Sequence, residues 1–239
     1  MKPKEKVNNR YILVHSPLVG PLTWSQVADE MRKRSLDVLV PTLEDSLNSK
    51  EPFWKQHAES VSRSLSVIPT DLPLILVAHS GAGPLLPVLR QSIPHPVRAY
   101  VFVDAGIPRD GASRLELMKS EDPDWANDFQ EDLEAGGHFP TWSLEDLREV
   151  IPDDSLRRHI VAELRPRGLD FFMEPIPVFD GWPDAPCIYL QFSAAYDKPA
   201  EQARAAGWPV YELQVGHFHM LVDAEAVTSM IIDLINQLD

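Results

Sequence analysis

The chain has 239 residues, 44% of them hydrophobic, which fits one large buried core carrying an insertion better than two independent domains. Its formal net charge of -14 opposes phosphate backbones and anionic membrane surfaces, so nucleic-acid binding is not expected and an acidic substrate is mildly disfavoured. A single cysteine, Cys187, excludes an intrachain disulfide and a multi-cysteine metal site, and it makes a reducing cytoplasm the default location.

The N-terminal stretch MKPKEKVNNRYILV carries positive charge but falls short of the roughly seven apolar residues that a signal peptide core needs. No run approaches the roughly 18 apolar residues of a membrane span. A soluble, unprocessed protein acting on a small molecule is expected, with neither membrane nor nucleic acid as partner. No internal repeat or low-complexity tract is present, and the 22 prolines imply many fixed turns.

Tyr11 to Val14 is a short apolar run suited to a buried strand. A loop leads to a helix from about Trp24 to Arg34, with Thr23 as its cap, and Asp37 to Val40 is the next strand, ended by Pro41. Pro52 opens a longer helix to about Ser66, with Phe53, Ala58, Val61 and Leu65 near one face. The apolar run Leu74 to Val77 stops at Ala78-His79-Ser80-Gly81-Ala82, and Gly83-Pro84 then begins helical spacing to about Gln91. Val97 to Val103 is another strand, closed by Asp104-Ala105-Gly106.

From Ile107 to about Asp184 the alternation breaks into helical pieces, among them Ser143 to Val150, whose Ser143-x-x-Asp146 reads as a helix start, and Ser155 to Leu164. The acidic stretch Glu121 to Glu134 reads as a solvated helix face. Cys187 to Phe192 resumes the strands, followed by a short helix at Ala200 to Ala206, a strand at Val210 to Leu213 and a closing helix at Ala224 to Gln237, capped by Asp223. Strands alternating with helices predict a parallel sheet covered on both faces.

The turn at Ser80 holds the chemistry. A sharp strand-to-helix turn seats one residue in a strained backbone conformation, and small residues two before and two after it, here Ala78 and Ala82, let neighbouring backbone pass close by. Ser80 would rise clear of the sheet edge, facing the N–H groups that begin the next helix. The segment resembles the nucleophile elbow of the α/β-hydrolase superfamily, Gly-x-Ser-x-Gly, with alanine at both outer positions.

The resemblance covers nearly the whole chain. It implies an α/β fold with a six-stranded, mostly parallel sheet lacking the family's first two strands, a core formed by residues 1–106 and 185–239, and a helical cap at 107–184. It also implies a Ser, acid, His triad in that chain order, the acid after the family's seventh strand and the His after its eighth. Asp197 and His217 occupy those places, with Asp104 as the alternative acid. His219 is a second candidate base, but Gly216-His217 matches the family pattern better. His217-x-His219 could suggest a metal pair, yet no third ligand stands at suggestive spacing, and no cofactor is expected. His79 should point away from the nucleophile and pack.

For the oxyanion hole the family supplies the N–H after the nucleophile, here that of Gly81, and a donor from the loop after Val14. This chain reads His15-Ser16-Pro17-Leu18 there, and Pro17 has no N–H to give, so the Leu18 N–H or the Ser16 hydroxyl must substitute. Phe139, Trp142, Phe171 and Phe172 are candidates for the pocket, and with Phe129, Met173 and Trp182 they favour a mid-sized, largely apolar substrate. Arg165 and Arg167 could meet a substrate carboxylate, although surface pairing is the simpler reading.

The implied activity is a serine hydrolase acting on a carboxylic ester, thioester or lactone. The Ser16-Pro17 departure keeps a cofactor-free lyase of hydroxynitrile-lyase type open, and a triad-retaining ligand receptor is a third reading. A carboxylate nucleophile, as in epoxide hydrolases and haloalkane dehalogenases, is disfavoured by Ser80.

Overall fold

The computed structural model describes residues 9–238, so most of the charged N-terminal segment lies outside the described residues. Six strands form one sheet: β1 (Arg10–Val14), β2 (Asp37–Leu39), β3 (Leu74–Ser80), β4 (Val97–Ala105), β5 (Cys187–Gln191) and β6 (Val210–Glu212). Their spatial order is β2-β1-β3-β4-β5-β6 and every pairing is parallel, as expected. The order reverses direction next to β1 and β3, and open parallel sheets collect their ligands beyond the carboxyl ends of the strands at such a switch point.

The strands are apolar on both sides because helices cover both sides. Alternate residues feed two separate cores. Tyr11, Leu13, Ile75, Val77, Val101 and Val103 enter one of them, packed under α1 (Ser25–Lys33) and α9 (Ala224–Asn236). Ile12, Val14, Leu74, Leu76, Tyr100 and Phe102 enter the other, under α2 (Phe53–Leu65), α3 (Leu86–Ser92) and α8 (Asp197–Ala205). Each fully buried aliphatic side chain contributes about 1.5–3 kcal/mol, so a one-residue register slip, which would exchange the two faces, is strongly disfavoured.

Between β4 and β5 the chain forms α4 (Arg114–Glu121), α5 (Pro123–Glu134), α6 (Asp154–Ala162) and α7 (Leu169–Met173) and adds no strand to the sheet. This segment has its own small core, in which Leu115, Ala126, Leu133, Phe171 and Phe172 meet Leu18 of the sheet domain. Polar ties hold it down. Glu174 accepts the Phe53 and Trp54 N–H groups at the start of α2, 2.5 and 3.1 Å away, as a remote cap on that helix. Arg167 meets Asp45 at 2.6 Å with both side chains almost fully buried, and Arg165 donates to the Leu43 carbonyl at 2.6 Å. The two arginines therefore bind the segment to the sheet domain rather than facing a ligand.

Two local expectations are corrected. Thr23 does not cap α1; it lies in a 3-10 turn, Pro21–Trp24, where its hydroxyl donates to the Gly20 carbonyl at 2.8 Å, and Trp24 takes the cap position. Ser143 to Val150 forms turns, not a helix. The start signature is made, since Ser143 N–H and Oγ–H both donate to Asp146, but the stretch is pinned at Leu147 and Ile151 and stopped by Pro152 before a ladder develops. Asp223 does cap α9, accepting the Ala226 N–H at 2.9 Å.

Candidate active site

β3 delivers Ser80 to the carboxyl edge of the sheet in a left-handed backbone conformation, φ 57°, a strained state for a side chain other than glycine. The turn closes tightly against the end of β4: a methyl group on Gly83 would stand 2.1 Å from the Gly106 carbonyl oxygen, so only glycine fits there. Ala78 and Ala82 on either side are fully buried. A 3-10 turn at Gly83–Leu85 then leads into α3.

His217 lies in the loop after β6. Its Nδ1–H donates to Asp104 Oδ2 at 2.7 Å, which in the neutral ring makes Nε2 the nitrogen with the free lone pair. Asp104 ends β4 with φ 44° and is fully buried. Three more donors converge on its carboxylate: Phe192 N–H at 2.8 Å, Ser193 N–H at 3.0 Å and Ser193 Oγ–H at 2.7 Å. The next residue is clamped as well, because the Tyr189 hydroxyl accepts the Ala105 N–H and donates to the Ala105 carbonyl. A buried carboxylate is tolerated only with this kind of satisfaction.

Asp197 does not reach His217. A 3-10 turn at Ala194–Tyr196 carries it into the first turn of α8, where it is exposed and accepts Gln191 Nε2–H at 2.6 Å. The alternative acid, Asp104, is the one the fold brings to the imidazole. Tyr196, not singled out in the sequence, takes the space Asp197 was expected to face: its hydroxyl is 3.0 Å from Ser80 Oγ, and its ring lies parallel to the His217 ring at 5.1 Å. Only its adjacency to Asp197 in the loop after β5 could have drawn attention to it.

His79 packs, as expected, and does so against His217. Its Nε2–H donates to the His217 carbonyl at 3.0 Å and its ring is 4.4 Å from that of His217. Burial, reinforced by the neighbouring His217, holds its pKa well below the ordinary histidine range, so it stays neutral. His219 begins a separate 3-10 turn and meets Phe192 edge-on. Among the described residues no group of three His, Cys, Asp or Glu side chains could hold a metal ion.

The loop after β1 is anchored by His15, whose Nδ1–H donates to the Ser16 carbonyl at 2.8 Å while Nε2 accepts the Leu43 N–H at 3.1 Å. Burial depresses the His15 pKa to about 4, so that anchor is neutral over the ordinary working range. The Leu18 N–H donates to Ser16 Oγ, 3.4 Å away. Ser16 Oγ in turn lies 3.1 Å from where a side-chain carbon on Gly81 would be, beside the residue that follows the nucleophile.

Above Ser80 is a cavity of about 660 Å³. Ser16, Pro17, Gly81, His217, Phe139, Trp142 and Phe172 are among its lining residues, so three of the four aromatic candidates face it. The fourth, Phe171, is fully buried beneath the Arg114 guanidinium, which lies 4.0 Å over its ring. Glu121, at the end of α4, faces the same cavity, and burial pushes its carboxyl up to about 7.

No protein-family model matches the chain. Two curated relatives are a carbendazim hydrolyzing esterase of Nocardioides sp. (strain SG-4G), 25% identical over 87% of this chain and 91% of its own length, and methylesterase 1 of Arabidopsis thaliana, 24% identical over 44% of this chain and 42% of its own length. Among solved structures, an extracellular α/β-hydrolase from a Paenibacillus species superimposes with a TM-score of 0.74 at 16% identity, covering 94% of this chain and 98% of that one. Polyneuridine aldehyde esterase superimposes with a TM-score of 0.70 at 17% identity, over 95% and 99%.

The chain has the α/β-hydrolase fold. Within that fold, Ser80 stands at the elbow and His217 in the loop beyond the last strand. The carboxylate bonded to His217 stands near the end of the strand beside the elbow rather than after the following one.

Proposed function

We propose that this chain is a serine hydrolase cleaving a carboxylic ester, thioester or lactone of a mid-sized, largely apolar substrate, with Ser80, His217 and Asp104 as its triad. The observation that carries this is the convergence of a strained Ser80 and an Asp104-oriented His217 at the floor of one cavity lined mainly by apolar and aromatic side chains. The curated relatives named as esterases support the same chemistry.

In the reaction, His217 Nε2 takes the Ser80 proton as Oγ attacks the carbonyl carbon. Asp104 fixes the tautomer and balances the imidazolium charge. The Ser80 hydroxyl must turn from Tyr196 toward His217 to begin, a rearrangement consistent with catalytic hydrogen bonds that tighten only when substrate is bound. Charge on the carbonyl oxygen is held by the Gly81 N–H and the Ser16 hydroxyl. Because the Leu18 N–H already supplies Ser16 Oγ with a donor, the Ser16 proton is free to face the substrate, replacing the donor that Pro17 cannot provide. The tetrahedral intermediate expels the alcohol or thiol, which takes the proton from His217, and water repeats the sequence on the acyl-enzyme.

Residues 107–184 act as a cap whose Phe139, Trp142 and Phe172 shape the apolar end of the pocket. We place the enzyme in the cytoplasm on its single, buried cysteine. No described helix is long and apolar enough to cross a membrane.

The test is labelling by an active-site-directed fluorophosphonate. Wild type should label and Ser80→Ala should not; an unlabelled wild type, or equal labelling of both, would rule out the serine mechanism. The position of Ser16 also suits a lyase that uses this hydroxyl on a substrate oxygen, and turnover of a cyanohydrin without any acyl adduct from esters would select that reading.

A further inference from the structure

Tyr196 is the polar side chain nearest the nucleophile that the triad does not use. Its Oη is 3.0 Å from Ser80 Oγ, and its ring lies within 5° of parallel to the His217 imidazole. It reaches the site from the loop after β5. Ser16 and Gly81, which hold the carbonyl oxygen in the proposed reaction, reach it from the loop after β1 and from the elbow. The oxyanion donors and the stacked His217–Tyr196 pair thus reach the reacting carbon from different loops.

The leaving oxygen must depart on the His217 side, because that is where its proton comes from. It is bonded to the same carbon as Ser80 Oγ in the intermediate and so lies next to the atom that Tyr196 already contacts. Once Ser80 has given up its proton and become an ester oxygen, the phenol needs a stronger acceptor, and the oxygen gaining charge beside it is the leaving one. Burial pushes the Tyr196 phenol above its ordinary range; the Ser80 hydrogen bond acts the other way, and the negative charges of Asp104 and Glu121 raise it further. It remains a donor and is not itself a base.

We propose that Tyr196 is a catalytic residue whose O–H donates to the leaving-group oxygen of the tetrahedral intermediate, beside the His217 imidazolium that protonates it. The C–O bond breaks, its electron pair passes to the leaving oxygen, and the proton comes from His217 Nε2; Tyr196 keeps its own. This rests on the serine-hydrolase reading and adds a residue to it.

The test compares kcat/KM of wild type and Tyr196→Phe on esters of one acid with alcohols graded from nitrophenol to unactivated alkyl alcohols. The variant should lose about 10- to 100-fold on alkyl esters, the worth of one hydrogen bond to a developing charge, and little on nitrophenyl esters, which leave without help. The dependence on leaving group should steepen. A uniform loss across the series, or no loss on alkyl esters, overturns the assignment. Should Tyr196→Phe fail to fold, 3-fluorotyrosine at this position supplies a more acidic donor: it should raise the alkyl-to-nitrophenyl rate ratio, and an unchanged ratio overturns the assignment. Fluorophosphonate labelling separates the two levels. A labelled wild type with a flat substitution profile removes only the role of Tyr196, whereas an unlabelled wild type removes the serine reading beneath it.

Discussion

His217 Nδ1 stands 2.7 Å from Asp104 Oδ2, while Asp197, the carboxylate expected there, lies in the first helical turn after β5 and accepts from Gln191 instead. Asp104 thus lies on the strand that pairs directly with the elbow strand, with Ser80 in register against Ala105, the residue after Asp104. Ser80 and Asp104 are carried on one strand pair.

Exchanging the two acids separates the roles. Asp104→Asn should lower kcat by about 10⁴-fold, because an amide no longer holds the imidazole in the productive tautomer. Asp197→Asn should leave kcat within a few-fold of wild type, since it disturbs only the part-buried contact with Gln191. Steady-state kinetics on one ester decides, and the opposite ranking would return the role to Asp197.

Removing the Ser16 hydroxyl tests the replacement for the donor lost at Pro17. Ser16→Ala should lower kcat by about 100- to 1,000-fold with KM nearly unchanged, because the bond strengthens only as the oxyanion forms. Activity close to wild type would mean that Gly81 acts with a different second donor.

Glu121 should make stability depend on pH. Its folded pKa, raised by burial to about 7 from an ordinary 4.5, means that the folded state holds the proton more tightly than the unfolded chain does. That contribution is complete below the unfolded value and is lost as pH rises through the folded one. Glu121→Gln should therefore match wild type near about pH 4 and exceed it by roughly 2 kcal/mol near about pH 8, allowing for partial solvent screening. Chemical denaturation at the two pH values measures it; equal stability at both would show a well-solvated carboxylate.

Arg167→Ala should destabilise by about 3–5 kcal/mol, since it strands the Asp45 carboxylate in a nearly dry site. The neighbouring His57, bonded to Asp45 at 2.8 Å and held below its ordinary pKa mainly by burial, then becomes the remaining partner. The loss should shrink toward low pH, where His57 can protonate. Urea titrations of both proteins across that range check this, and a loss independent of pH would exclude the histidine's part.

Much of the sheet was legible because the inner strands β1, β3, β4 and β5 are apolar runs with both faces covered, and such runs stand out against the proline-rich connections. The elbow was legible for a related reason: strand, small residues and helical spacing meet at Ser80. The acid was not decidable in the same way. Val103-Asp104-Ala105 and Tyr196-Asp197 both follow apolar strands, and what separates them is the 3-10 turn at Ala194–Tyr196, which has no periodic signature. That turn removes Asp197 and introduces Tyr196 in one step. At Ser143 the local signal was real and its hydrogen bonds form, yet burial of Leu147 and Ile151 and the stop at Pro152 decided the outcome. Phe171 illustrates a further limit, since composition cannot tell an aromatic facing a cavity from one lying beneath an arginine.

Rapid quenching during turnover of a nitrophenyl ester, with intact and peptide mass measurement, would catch the acyl-enzyme proposed on Ser80. The expected result is a burst of nitrophenol stoichiometric with enzyme and one acyl group carried on the peptide containing Ser80, enriched when deacylation is slowed by a bulky acyl group. Turnover with no acyl mass on any peptide, or an acyl group on a residue other than Ser80, would contradict it.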